Sequence, residues 1–167
     1  MAITLEIFAQ QVKQALLSDP GPAGRETVRK LLEQAVIDSE LIKQHLGNDQ
    51  PQRNVLYQDR DLGFAILGHV FHEARRTNPH DHGDSWAIYG QVSGETIMDS
   101  WEIVEPASEE QPGKVRLRGS SVLASGSART YNEGEIHSPR RDGPAKLIRI
   151  EGNPSQAAQA KRWIAID

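Results

Sequence analysis

The first stretch of the chain has the period of a helix. In LEIFAQQVKQALL the apolar residues Leu5, Phe8, Val12 and Leu16 recur at three- and four-residue spacing, which lines one helix face. DPGPAG breaks the pattern at 19–24. RETVRKLLEQAVIDSELIKQHLG resumes it with Val28, Leu31, Leu32, Ala35, Val36 and Leu41, and Gly47 stands as a helix stop. Two helices are predicted, at 4–18 and 24–46, making residues 1–48 a hairpin or cap packed on the outside of a β-rich remainder. From Val55 the period changes to two or to short apolar runs. DLGFAILGHVFHE, SWAIYGQVSGETIMDSWEIVE, KVRLRGSSVLASG and AKLIRIEG read as strands, with Gly, Pro, Asn and Asp between them. Many short strands with frequent turn signals predict an antiparallel sandwich or barrel over 51–155. Residues 156–167 are left as a tail, either a short helix or a last strand.

Composition narrows the class. A length of 167 residues suits a single domain, and no repeat or long linker divides it. The net charge of −4 offers no basic footprint for nucleic acid or for an anionic membrane, so neither is expected as a partner. The absence of cysteine removes disulfides, thiolate metal sites and cysteine nucleophiles together. The first residues do not read as a signal peptide, and no apolar run approaches membrane-spanning length. A soluble, cytoplasmic protein is expected, monomeric or homodimeric.

The candidate chemistry lies in NPHDHGDSWAIYG. His80 and His82 are two apart, so on a strand both imidazoles face the same way. They are either a coincidental surface pair or part of a metal site that needs a further ligand from elsewhere. His137 is the only histidine in the second half of the chain. His45 suits the C-terminal end of the second helix. His69 and His72, three apart, cannot share a strand face; they are read as structural, the alternative being that one of them hydrogen-bonds a ligand.

Spacing favours metal. The chain resembles the cupin superfamily in both of its motifs. His80 and His82 are followed by Ala87 in the place of that family's glutamate, and then by Gly94. Gly126, Asn132, Gly134, His137 and Arg141 follow the second motif, with Asn132 and Arg141 in its proline and asparagine places. The resemblance implies a jelly-roll barrel, a double-stranded β-helix, behind two N-terminal helices. It also implies a metal held by His80, His82 and His137.

Loss of the glutamate in favour of three histidines resembles the cysteine dioxygenase, or thiol dioxygenase, group. That likeness implies Fe(II), with nickel or zinc as purified alternatives, and a small anionic substrate that meets O₂ on the metal. It also implies a substrate-binding arginine near the start of the barrel, for which Arg60 is the candidate. The group's Ser-His-Tyr relay is missing, because its places read Leu147, Arg149 and Glu151. Turnover of L-cysteine is therefore expected to be negligible. Alternation puts Ala87, Tyr89 and Gln91 on one face, and Trp86 and Ile88 on the other. Tyr89 either presents its hydroxyl to a metal-bound ligand or simply fills the barrel. Arg149 and Glu151 are either a charge pair near the metal, with Arg149 holding a substrate carboxylate, or an outward pair. Arg140 and Arg141 are expected in a solvated turn. Two classes stay open: an Fe(II) dioxygenase, and a non-redox cupin acting as an isomerase or a binding barrel.

Overall fold

The computed structural model describes residues 2–154 and 160–167. Helix α1 spans Leu5–Ser18, and its cap Thr4 accepts from the Ile7 amide. Helix α2 spans Pro22–Ala35, with proline in its first turn. The predicted second helix is in fact two. Helix α3, Ser39–His45, starts afresh because Asp38 caps it, accepting from the Glu40 and Leu41 amides. The other Asp38 oxygen accepts from the Ile3 amide at 2.9 Å, so one side chain breaks the helix and ties down the N-terminal segment. None of the helices among the described residues is long and apolar enough to cross a membrane.

Among the described residues the β-rich part contains ten strands: β1 (Asn54–Gln58), β2 (Ala65–Phe71), β3 (Arg75–Arg76), β4 (Ala87–Ser93), β5 (Thr96–Glu105), β6 (Gly113–Leu123), β7 (Ala128–Tyr131), β8 (His137–Arg141), β9 (Ala145–Glu151) and β10 (Trp163–Ile166). They form two five-stranded sheets, ordered β1-β2-β9-β4-β7 and β10-β6-β5-β8-β3. From β2 onward the chain passes back and forth between the sheets, except that β5 and β6 form a hairpin within the second, as in a double-stranded β-helix. The ladders are antiparallel except that of β10 with β6, which is parallel. The end of the tail is thus an edge strand, while the expected barrel limit at 155 and the tail's start at 156 fall outside the described residues.

Among the described residues two apolar cores lie one on each side of the first sheet. Ile66, Ile88, Ile148 and Ile150 pack outward against Phe8, Val12, Val28 and Leu32 of the helices. Ala87, Tyr89, Leu147, Met98 and Leu123 fill the space between the sheets. Gly90 brings the helices close: a Cβ there would lie 2.7 Å from Leu32 and 2.8 Å from Val36. The period-two runs of β4 and β9 are therefore buried on both faces, which is why they read as nearly continuous apolar segments.

Candidate metal centre

The loop 77–86 approaches the start of β8, and the backbones of His80 and His137 exchange two hydrogen bonds of 3.0 Å. That bridge fixes the HxH segment against the third histidine. The candidate ligand atoms of His80, His82 and His137 all lie within 4.8 Å of one another. The His82 and His137 Nε2 atoms are 3.2 Å apart. Two nitrogens bound to one first-row ion at about 2.1 Å stand about 3.0–3.4 Å apart for angles of 90–110°, so this separation fits a shared ion.

The outer contacts prepare the rings in the same sense. His80 Nδ1 donates to the Asn78 carbonyl at 2.9 Å, and His137 Nδ1 donates to the Glu135 carbonyl at 3.1 Å. A carbonyl only accepts, so each Nδ1 carries the hydrogen and each Nε2 keeps its lone pair. Burial lowers all three pKa values, that of His82 to about 4 and that of His137 to about 2, with neighbouring imidazoles adding to it at His82 and His137 and the Arg149 charge adding at all three. The rings are neutral near pH 7, the state a metal requires. The motif glycines Gly94, Gly126 and Gly134 all have φ between 69° and 87°, so each turn beside the site needs the residue type that the motif supplies.

Ala87 faces the barrel interior, fully buried, and pairs with Tyr131 on one side and Glu151 on the other. Tyr131 stacks on His137 with ring centroids 4.0 Å apart, and its buried hydroxyl meets no hydrogen-bonding geometry among the described residues. The space beside the missing glutamate therefore holds an aromatic ring. Sequence reading missed Tyr131, because only the β4–β7 register brings it beside Ala87. The Tyr89 hydroxyl lies 3.4 Å from His82 Nε2 and 3.3 Å from His137 Nε2.

A cavity of about 310 Å³ opens onto His80 and Tyr89, and Arg149 forms part of its wall. The Arg149 guanidinium carbon lies 5.4 Å from the Tyr89 ring centre and its group is ion-paired to Glu151. Arg149 and Glu151 thus point into the barrel, not outward. Arg60 is not brought here. It is exposed in the turn between β1 and β2 and does not line the cavity, because β1 and β2 are joined at the far end of the ladder from Phe71. Arg141 also departs from expectation. It is 5% exposed and lines the same cavity, since it shares the inward face of β8 with His137. Arg140 on the opposite face pairs with Asp99 at 3.1 Å. His69 is buried on the inward face of β2, whereas His72 is exposed beyond its end.

No protein-family model and no curated protein sequence matches the chain. Solved structures do. A protein with a double-stranded β-helix domain from Klebsiella pneumoniae is similar at 15% identity and a TM-score of 0.46, over 65% of this chain and 76% of that one. A cupin superfamily protein from Desulfitobacterium hafniense is similar at 14% identity and 0.44, over 63% and 79%. A cupin-2 domain containing protein from Shewanella frigidimarina is similar at 15% identity and 0.47, over 72% and 98%. The chain's own strand order, two five-stranded sheets enclosing an apolar interior, is that of a jelly-roll barrel, a double-stranded β-helix. Nothing in these likenesses singles out the cysteine dioxygenase group. Within this barrel, the three-histidine cluster could hold a metal ion.

Proposed function

We propose that the protein is a metal-dependent cupin, an Fe(II) dioxygenase acting in the cytoplasm on a small anionic substrate that chelates the metal. The observation that carries this reading is the donor set. Three neutral imidazoles converge with no carboxylate among them, beside a cavity lined by Tyr89 and Arg149. A ferrous ion held there would supply open positions for a chelating substrate and O₂ side by side. The chain's own residues do the rest. Arg149, kept near Tyr89 by its ion pair with Glu151, meets the substrate carboxylate with its guanidinium fork. Tyr89 donates its hydroxyl toward the histidine nitrogens, where a ligand oxygen would lie. Burial pushes the Tyr89 pKa up, so it stays a donor at neutral pH. Leu147 and Tyr131 keep the adjoining wall apolar and restrict water.

One observation favours a second reading, a non-redox metal cupin: Leu147 is buried where the thiol dioxygenases carry a relay donor. The two readings separate on oxygen. Protein reconstituted anaerobically with Fe(II) is expected to consume O₂ with a carboxylate-bearing chelator drawn from a panel of thiols, hydroxy acids and 1,2-dicarbonyls. It should leave L-cysteine essentially untouched. Brisk formation of cysteine sulfinate would show the relay to be dispensable. No oxygen uptake with any member of the panel would leave the non-redox reading standing. Arg149→Ala should lower kcat/KM about a hundredfold, or about 2–4 kcal/mol, while metal stays bound.

A further inference from the structure

The cavity that reaches His80 and Tyr89 has a second wall, formed by Arg141 of β8, His69 of β2 and Phe71. Its charge is one-sided. Arg53, Arg75, Arg141 and Arg149 line it, and no carboxylate does. Arg149 has its counter-ion in Glu151. Arg141 has none: no hydrogen bond or ion pair joins its guanidinium to any described residue, and its Nε is buried without a partner. Its one close support is the face of Phe71, 4.4 Å from the guanidinium carbon to the ring centre. Burying a cation without an anion is costly, and folds keep such groups where a ligand completes them.

His69 stands on the same wall with the opposite hydrogen-bonding sense. Its Nδ1 lies 3.1 Å from the Gln52 carbonyl, so Nδ1 carries the hydrogen. Its Nε2 is therefore an acceptor, buried and without a partner in a residue that is 7% exposed. A bare carboxylate cannot satisfy a lone pair. A ligand that fits this wall offers an anionic oxygen to Arg141 and an O–H to His69.

We infer that this wall is a ligand subsite in which Arg141 binds a carboxylate and His69 Nε2 accepts from a neighbouring hydroxyl, so that the site takes a small hydroxy acid. The inference rests on the proposed reading only in taking this cavity as the place where the substrate sits. At about 310 Å³ the cavity lies at the small end of ligand sites, which suits a compact acid. It also makes the specificity chemical: the hydroxyl, and not only the charge, is read.

The test uses the full chain without metal, so that chelation contributes nothing. Calorimetric titration compares acids that differ by one hydroxyl: lactate with propionate, malate with succinate, and mandelate with phenylacetate. In at least one pair the hydroxy acid should bind about tenfold tighter, the worth of one satisfied buried acceptor. Arg141→Met should weaken both members of that pair about a hundredfold. His69→Leu should erase the difference within the pair and leave the deoxy acid bound as before. Arg141→Gln, which keeps a polar side chain, should weaken both acids as well and replaces Arg141→Met if that variant does not fold. Equal binding within every pair, or a preference that survives His69→Leu, overturns the inference. These outcomes are independent of metal and oxygen: the subsite stands or falls on the metal-free titrations, and the dioxygenase reading on oxygen uptake.

Discussion

His69 carries an imidazole into the barrel at a cost that pH reveals. Burial, with Arg149 and Arg141 adding to it, lowers its pKa from 6.5 to about 3. The unfolded chain therefore takes up this proton before the folded one does. Stability present above pH 6.5 is lost progressively as the pH falls toward 3. Urea denaturation of the metal-free protein should show His69 alone costing about 2 kcal/mol between pH 7.5 and 5, and His69→Gln should remove that component. A pH slope unchanged by the substitution would mean that His69 is protonated in the folded state. At this scale the sequence was legible where one strand or one short motif carried the answer. The HxH motif marked His80 and His82, although they lie in the loop 77–86 and not on a strand, and the two-residue period put Tyr89 on the same face as Ala87. The same period, counted four residues on from His137, turns Arg141 inward, but the polar run PRRDG reads as a turn and conceals it. Tyr131 was illegible because only the pairing of β4 with β7 places it.

Between elements, the contacts that hold the HxH loop come from distant parts of the chain. The Trp163 indole of β10 donates to Asp81 at 2.6 Å, and the other Asp81 oxygen accepts from the Gly83 amide at 2.7 Å. Asp81 sits between two candidate ligands, so the edge strand steadies the loop. Trp163→Phe keeps an aromatic ring on the edge strand and removes the donor. It should weaken metal affinity about tenfold in a chelator competition, as outer contacts to ligand-bearing segments do. Unaltered affinity would reduce β10 to an edge cover. Gly90 makes a second case. Gly90→Ala puts a methyl against Leu32 and Val36, and should destabilise by about 1–3 kcal/mol without changing metal content. The β10–β6 ladder was invisible in sequence because the tail's pattern fits a helix as well as a strand, and its partner lies about fifty residues away. The break before α3 was within reach, since Asp38 ahead of Ser39 and Glu40 is a start signal inside an apolar run that otherwise continues.

Across the whole molecule, one sheet separates two jobs. Its outer face and the helices form an apolar core that gives the barrel its rigidity, and its inner face carries Tyr89, Arg149 and His69 to the cavity. The second sheet supplies His137 and Arg141 from a single strand, and the loop between β3 and β4 closes over them with His80 and His82. The central claim is that this junction is a metal centre of three histidines. It is tested most directly by the metal content of desalted protein after anaerobic loading, measured by mass spectrometry. The wild type should hold about one divalent first-row ion per chain. His80→Ala, His82→Ala and His137→Ala should each fall below about a tenth of that, while His72→Ala, at an exposed position, should match the wild type. A full complement of metal in folded His137→Ala would contradict the account.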